Sequence, residues 1–78
     1  MSDYTPINCD IHSELELHTM HADRLRLIWD EDGITHTEIL LPVDLVIRNK
    51  AEYLLCRDGD GGERAIRLDW LRKFEKAV

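Results

Sequence analysis

The apolar positions change their spacing once along this chain. From Ile11 to Ala22 they recur at helical intervals, with Ile11, Leu15, His18 and Ala22 on one stripe. Asp10, Glu14, Leu17 and His21 form a second stripe, about 100° or more away around the axis. A helix is therefore predicted from Asp10 to about Met20, docked by Ile11 and Leu15 and showing its acids outward. Pro6 pushes Thr5 toward extended backbone, so residues 1–9 read as a lead-in. Asn8 or Asp10 can cap the helix, a side-chain oxygen accepting from the free amides of the first turn. Acids at that end also suit the helix dipole. Leu15-Glu16-Leu17 alternates as a strand would, and the capping signal decides for helix.

From Arg24 the period becomes two. Leu25, Leu27 and Trp29 alternate with Arg24, Arg26 and Ile28, and Asp30-Glu31-Asp32-Gly33 reads as a turn. Ile34 to Ile47 is a long strand that must bend or bulge at Pro42. A turn at Arg48-Asn49-Lys50 leads to the strand Glu52 to Arg57. Asp58-Gly59-Asp60-Gly61-Gly62 is a hairpin loop, and Glu63 to Leu68 is the returning strand. Asp69-Trp70-Leu71 fits one helical turn. Arg72 to Val78 fits a last strand or a short helix. Strands this short do not make a flat sheet, and curling into a small barrel removes the exposed edges. The expected fold is α+β and mostly β, an N-terminal helix followed by a small five-stranded antiparallel barrel of Sm-like order.

A length of 78 residues implies one domain, 1–78, burying roughly 60% of the surface of the unfolded chain. That leaves little room for a deep substrate cleft, and no enzyme is expected. No apolar run approaches the roughly 18 residues of a membrane span. The opening MSDYTPINCD has neither a basic start nor an apolar core, so no secretory signal is expected. Cys9 and Cys56 read as reduced thiols, and a cytoplasmic location is expected.

Charge is distributed unevenly. The formal net charge is -6. The first 23 residues carry Asp3, Asp10, Glu14, Glu16 and Asp23 with no Lys or Arg, whereas 11 acids face 10 bases in the remainder. An acidic head of this kind argues against direct binding of nucleic acid, which needs Lys and Arg in numbers. Next to Leu17 and Met20, the acids make a surface suited to docking on a basic face of another protein. Protonating His12, His18 and His21 below about pH 6.5 is expected to weaken such a contact.

Other constellations are weaker. Cys9-x-x-His12 with His18-x-x-His21 has zinc-ligand types, but at about 100° per residue these side chains surround one helix and do not converge. The Asp58–Glu63 segment lacks the ligands and flanking helices of a calcium loop. No nucleophile elbow or phosphate-cradling glycine loop is present. No cofactor or metal is expected. Arg64, Arg67, Arg72, Lys73 and Lys76 could form an RNA-facing patch, which makes a small Sm-like RNA-binding protein the alternative. Cross-strand pairing of these bases with Glu52 and Glu63 accounts for them as well.

Tyr4-Thr5-Pro6-Ile7-Asn8-Cys9-Asp10 followed by Leu15-Glu16-Leu17 resembles the opening of the Rho-binding antiterminator family, Rof. The likeness resumes at Asp44-Leu45-Val46, Arg48, Glu52-Tyr53-Leu54 and Arg67-Leu68-Asp69. The resemblance implies a helix plus an Sm-like barrel. It also implies an inhibitor of Rho-dependent transcription termination, and the negative net charge favours a monomer. Such a protein binds the hexameric helicase Rho and covers its primary RNA-binding site on the N-terminal OB-fold domain. Asp10 and Glu16 match the family's acids. Ser13 stands where an Asp is expected, with Glu14 beside it. Together with the outward stripe read from helical spacing, the expected contact surface is Asp10, Ser13, Glu14, Glu16, Leu17, Met20 and His21.

Overall fold

A computed structural model of the chain describes residues 9–77. The lead-in, Asn8 as a cap, and the Tyr4–Asn8 part of the family-like opening lie outside the described residues. Helix α1 runs Cys9–His21, one residue longer than predicted at each end. It stops because Ala22 turns left-handed, at φ 55°. The Asp23 amide then donates to the His18 carbonyl at 3.0 Å and the Ala22 amide to the Thr19 carbonyl at 3.2 Å. This six-to-one closure satisfies carbonyls that a helix end otherwise leaves open.

Five antiparallel strands follow: β1 Leu25–Glu31, β2 Ile34–Arg48, β3 Ala51–Arg57, β4 Glu63–Arg67 and β5 Leu71–Lys76. A single 3₁₀ turn, Leu68–Trp70, joins the last two. The strand order is β4-β3-β2-β1-β5. The predicted helix and five antiparallel strands are therefore found, but the sheet is not closed: among the described residues β4 and β5 remain its two edges and do not pair. β4 has only five residues, and the 3₁₀ turn then delivers β5 to the free edge of β1, where Leu27 faces Phe74.

The turns follow backbone chemistry. Asp32 and Gly33, both at positive φ, link β1 to β2, so Asp30 and Glu31 belong to the strand and not to the turn. Asn49 and Lys50, at φ 49° and 65°, link β2 to β3. Both are two-residue hairpins of the kind whose twist matches the strands they join. In the third loop, Asp58 Oδ1 accepts from the amides of Asp60 and Gly62 at 2.9 and 2.8 Å. A Cβ at Gly62 would stand 2.6 Å from Asp58 Oδ2, so a larger residue there would displace the carboxylate that organises the loop.

β2 bends where Pro42 was expected to bend it. Its register against β3 slips between Pro42 and Asp44, leaving Val43 as the extra residue of a bulge. The core gathers Leu15 from the helix with Leu25, Leu27, Trp29, Leu40, Leu54, Cys56, Ile66 and Leu68. Leu25, Leu27 and Trp29 are the alternating positions of β1, Leu40 keeps the same period two residues before Pro42, and Ile66 and Leu68 alternate in the same way although Leu68 lies in the 3₁₀ turn. Among the described residues no helix is long and apolar enough to cross a membrane.

Candidate docking face on the helix

Leu15 is the only fully buried residue of α1. Ile11, expected to dock beside it, is 40% exposed instead. Its place against the sheet is taken by His12, whose Nε2 lies 2.7 Å from Glu52 on β3 and whose Nδ1 lies 2.9 Å from Glu16. Both contacts can be donated at once only by the imidazolium, since a neutral ring has a single N–H. At the other end of the helix, His18 Nδ1 meets Asp23 Oδ2 at 3.0 Å and its ring packs edge-on against Phe74 at 6.1 Å. Thr19 Oγ1 donates to the Leu15 carbonyl at 2.8 Å. One side of α1 is thereby committed to the sheet by Leu15, His12 and His18.

The other side faces solvent. Asp10, Ser13, Glu14, Glu16, Leu17, Met20 and His21 are all exposed. At about 100° per residue they occupy less than half of the helix circumference, roughly opposite Leu15. Leu17 and Met20 are 51% and 78% exposed, a large apolar presence among carboxylates. All three histidines of the helix lie beside carboxylates of the protein itself, His12 on Glu16 and Glu52, His18 on Asp23, and His21 at 4.0 Å from Asp23.

The face extends onto the sheet. Glu16, Thr19, Met20, Asp44 and Leu45 line a shallow cleft of about 170 Å³ between α1 and β2. Glu16 uses one oxygen on His12, and Asp44 uses one on the Leu45 amide at 2.8 Å. Each keeps a second oxygen directed to no other group among the described residues. Met20 and Leu45 can cover the methylenes of a long basic side chain while the two carboxylates take its charge. Asp44 and Leu45 were strand positions in the sequence, and only the packing of α1 on β2 adds them to the face.

Asp23 fastens the junction below this face. It accepts from His18 and lies 3.5 Å from Lys76 of β5. Its carboxyl sits below the ordinary value of 3.8, first because of the His18 hydrogen bond and then because of Lys76, with desolvation opposing them. A carboxylate depressed in the folded state stabilises above its unfolded pKa, and that contribution disappears as pH falls through the folded value. Asp23→Asn should therefore be less stable than wild type at neutral pH, and the two melting temperatures should converge below about pH 4. Thermal melts at several pH values check this; a gap that stays constant into acid would contradict it.

The basic residues of the alternative reading are mostly engaged. Arg64 lies 3.3 Å from both Glu38 and Asp58, and Arg67 lies 2.9 Å from Asp69 and 5.5 Å over the Trp70 ring. Arg72 meets Asp30 at 2.7 Å. With Lys76 on Asp23, only Lys73 of the five makes no ion pair among the described residues. β4 and β5, which carry them, stand at opposite ends of the strand order.

Cys9 is exposed and Cys56 is buried, and both are free thiols. Burial pushes the Cys56 thiol up to about 12, with the Glu38 charge adding to it, so this sulfur stays protonated. No group of three or more His, Cys, Asp or Glu side chains among the described residues is placed to hold a metal ion.

No family model matches the chain. No curated protein matches it either. Among solved structures it is similar to proteasome accessory factor B/C (PafBC) of Arthrobacter aurescens, with a TM-score of 0.77 and 16% identity. The likeness covers 96% of this chain and 12% of that one. At this identity it establishes a shared fold for a helix with a five-stranded antiparallel sheet, and the chain spans about an eighth of the length of that neighbour.

Proposed function

We propose that this chain is an inhibitor of Rho-dependent transcription termination. It docks on the RNA helicase Rho through the outward face of α1 and keeps RNA from the primary RNA-binding site. The observation that carries this reading is the division of α1 into two sides. Leu15, His12 and His18 hold it to the sheet, while Asp10, Glu14 and Glu16 surround exposed Leu17 and Met20. The family-like residues add to it, since Asp10 and Glu16 match acids of the Rof family and both stand on this side.

A site that binds RNA presents Arg and Lys to phosphates. The carboxylates of α1 take the place of those phosphates, and Leu17 and Met20 supply short-range contact once the surfaces meet. The cleft beside Met20 accepts one arginine or lysine of the partner between Glu16 and Asp44. Ser13, where an acid is expected, supplies a neutral hydroxyl beside Glu14. The chain acts in the cytoplasm, as a monomer, with no catalytic step and no cofactor.

The test is retention of purified Rho on the immobilised full chain at moderate salt, followed by elution with a salt gradient. Retention that falls steeply with salt is expected of a contact between opposite charges. Absence of retention at low salt would overturn the reading.

A further inference from the structure

A second cavity, of about 230 Å³, lies on the sheet away from the helix face and is lined by residues of β2, β3 and β4 and by Arg64. We propose that it binds a small organic anion, an oxyanion joined to one flat or apolar group. This proposal does not rest on the Rho reading.

The cavity arises from strand register. Leu55 on β3 is paired with Asp44 on one side and Ala65 on the other. Its neighbours Leu54 and Cys56 belong to the core, so Leu55 and Ala65 form a floor on the outer face. The bulge in β2 turns Val43 out, 43% exposed, to make an apolar wall. Cys56 behind the floor stays an uncharged thiol.

Charge at the rim is positive and partly unspent. Arg48 and Arg57 make no ion pair among the described residues, although both line the cavity. Arg57 is the cross-strand partner of Glu63, and even so no ion pair joins them. Arg64 is held on Glu38 and Asp58 and also donates to the Glu63 carbonyl at 3.1 Å. It therefore forms a fixed wall, while the other two guanidinium groups are left to meet a ligand. Glu63 adds an acceptor that selects for an N–H donor on the bound group.

Size limits the occupant. The volume is below the roughly 300 Å³ at which drug-sized sites begin, so one ring with one oxyanion fits and a chain of nucleotides does not. An apolar floor with Arg at the rim takes such a group by desolvating the ring and by charge-assisted hydrogen bonds to the oxyanion. A phosphate ester and a carboxylate, each on one aromatic ring, share this chemistry.

The experiment is an amide NMR titration of the full chain with phenyl phosphate, phenylacetate and inorganic phosphate in parallel. Saturable shifts at Val43, Leu55 and Ala65 are expected with at least one organic anion, at least about tenfold tighter than with inorganic phosphate. Preference between the two organic probes identifies phosphate or carboxylate as the natural group. Arg48→Gln/Arg57→Gln should weaken that binding about tenfold or more while leaving the remaining spectrum unchanged. Shifts that stay linear with both organic anions, equal affinity for inorganic phosphate, or undiminished binding by the double variant would each overturn the proposal.

Discussion

Leu15→Ala should destabilise the protein by about 2–5 kcal/mol, the usual range for truncating a fully buried leucine. Leu15 is 0% exposed and is the only residue that α1 sends into the core, among Leu25, Leu27, Leu40 and Leu54. A protein of this length has a total stability of roughly 4–12 kcal/mol, so the loss is a large share of it. The lost methyl groups also release the helix from the sheet, because the remaining side-chain ties to the strands are the partly exposed His12–Glu52 contact and the edge-on packing of His18 on Phe74. Urea unfolding followed by circular dichroism measures the effect. Leu17→Ala is the control: at 51% exposure it should change stability by no more than about 0.5 kcal/mol. Equal costs at the two positions would mean that the helix does not dock through Leu15.

The second large effect concerns binding. Glu14→Lys combined with Glu16→Gln should weaken retention of Rho by about 100-fold or more, at roughly 1.4 kcal/mol for each altered contact. The pair is chosen for what each carboxylate does in the fold. Glu14 makes no ion pair among the described residues, so reversing it removes nothing structural. Glu16 holds His12, and an amide keeps an acceptor for that ring while removing the charge. A lysine at Glu16 would confuse lost binding with a loosened helix. The circular dichroism spectrum of the variant should match wild type. Retained binding with unchanged salt dependence would remove α1 from the interface.

Much of the architecture was legible because apolar spacing and turn chemistry agreed. The shift from period 3.6 to period 2 at Arg24 marks the true junction. Asn49-Lys50 and the Asp58–Gly62 run are the true loops, and Pro42 marks the bend. The β5 segment stayed ambiguous for a physical reason. Arg72-Lys73-Phe74-Glu75-Lys76 has one apolar residue and so no period, and pairing with β1 decides its conformation. Closure of the barrel was not legible either, because it depends on whether two edges distant in sequence come within bonding distance.

The exposed face of α1 could be read from helical angles alone, and Leu17 and Met20 lie where those angles put them. The roles of the histidines could not. His12 is tied to Glu52, forty residues on, and His18 to Phe74, and these contacts exist only once β3 and β5 are in place. They turn two of the three histidines inward and leave His21 as the one that shares the acidic face. Arg48 and Arg57 were equally invisible as a pair. They flank one cavity only because the β2 bulge and the β2–β3 register bring their strands together.

Displacement of RNA from Rho tests the proposed function most directly. Fluorescently labelled pyrimidine-rich RNA is bound to purified Rho, and its anisotropy is followed as this protein is added. Competition for the primary site predicts that the RNA is released, that more RNA restores it, and that the Glu14→Lys/Glu16→Gln variant releases none. RNA that remains on Rho while the protein is also bound, or RNA that transfers to the protein itself, would contradict it.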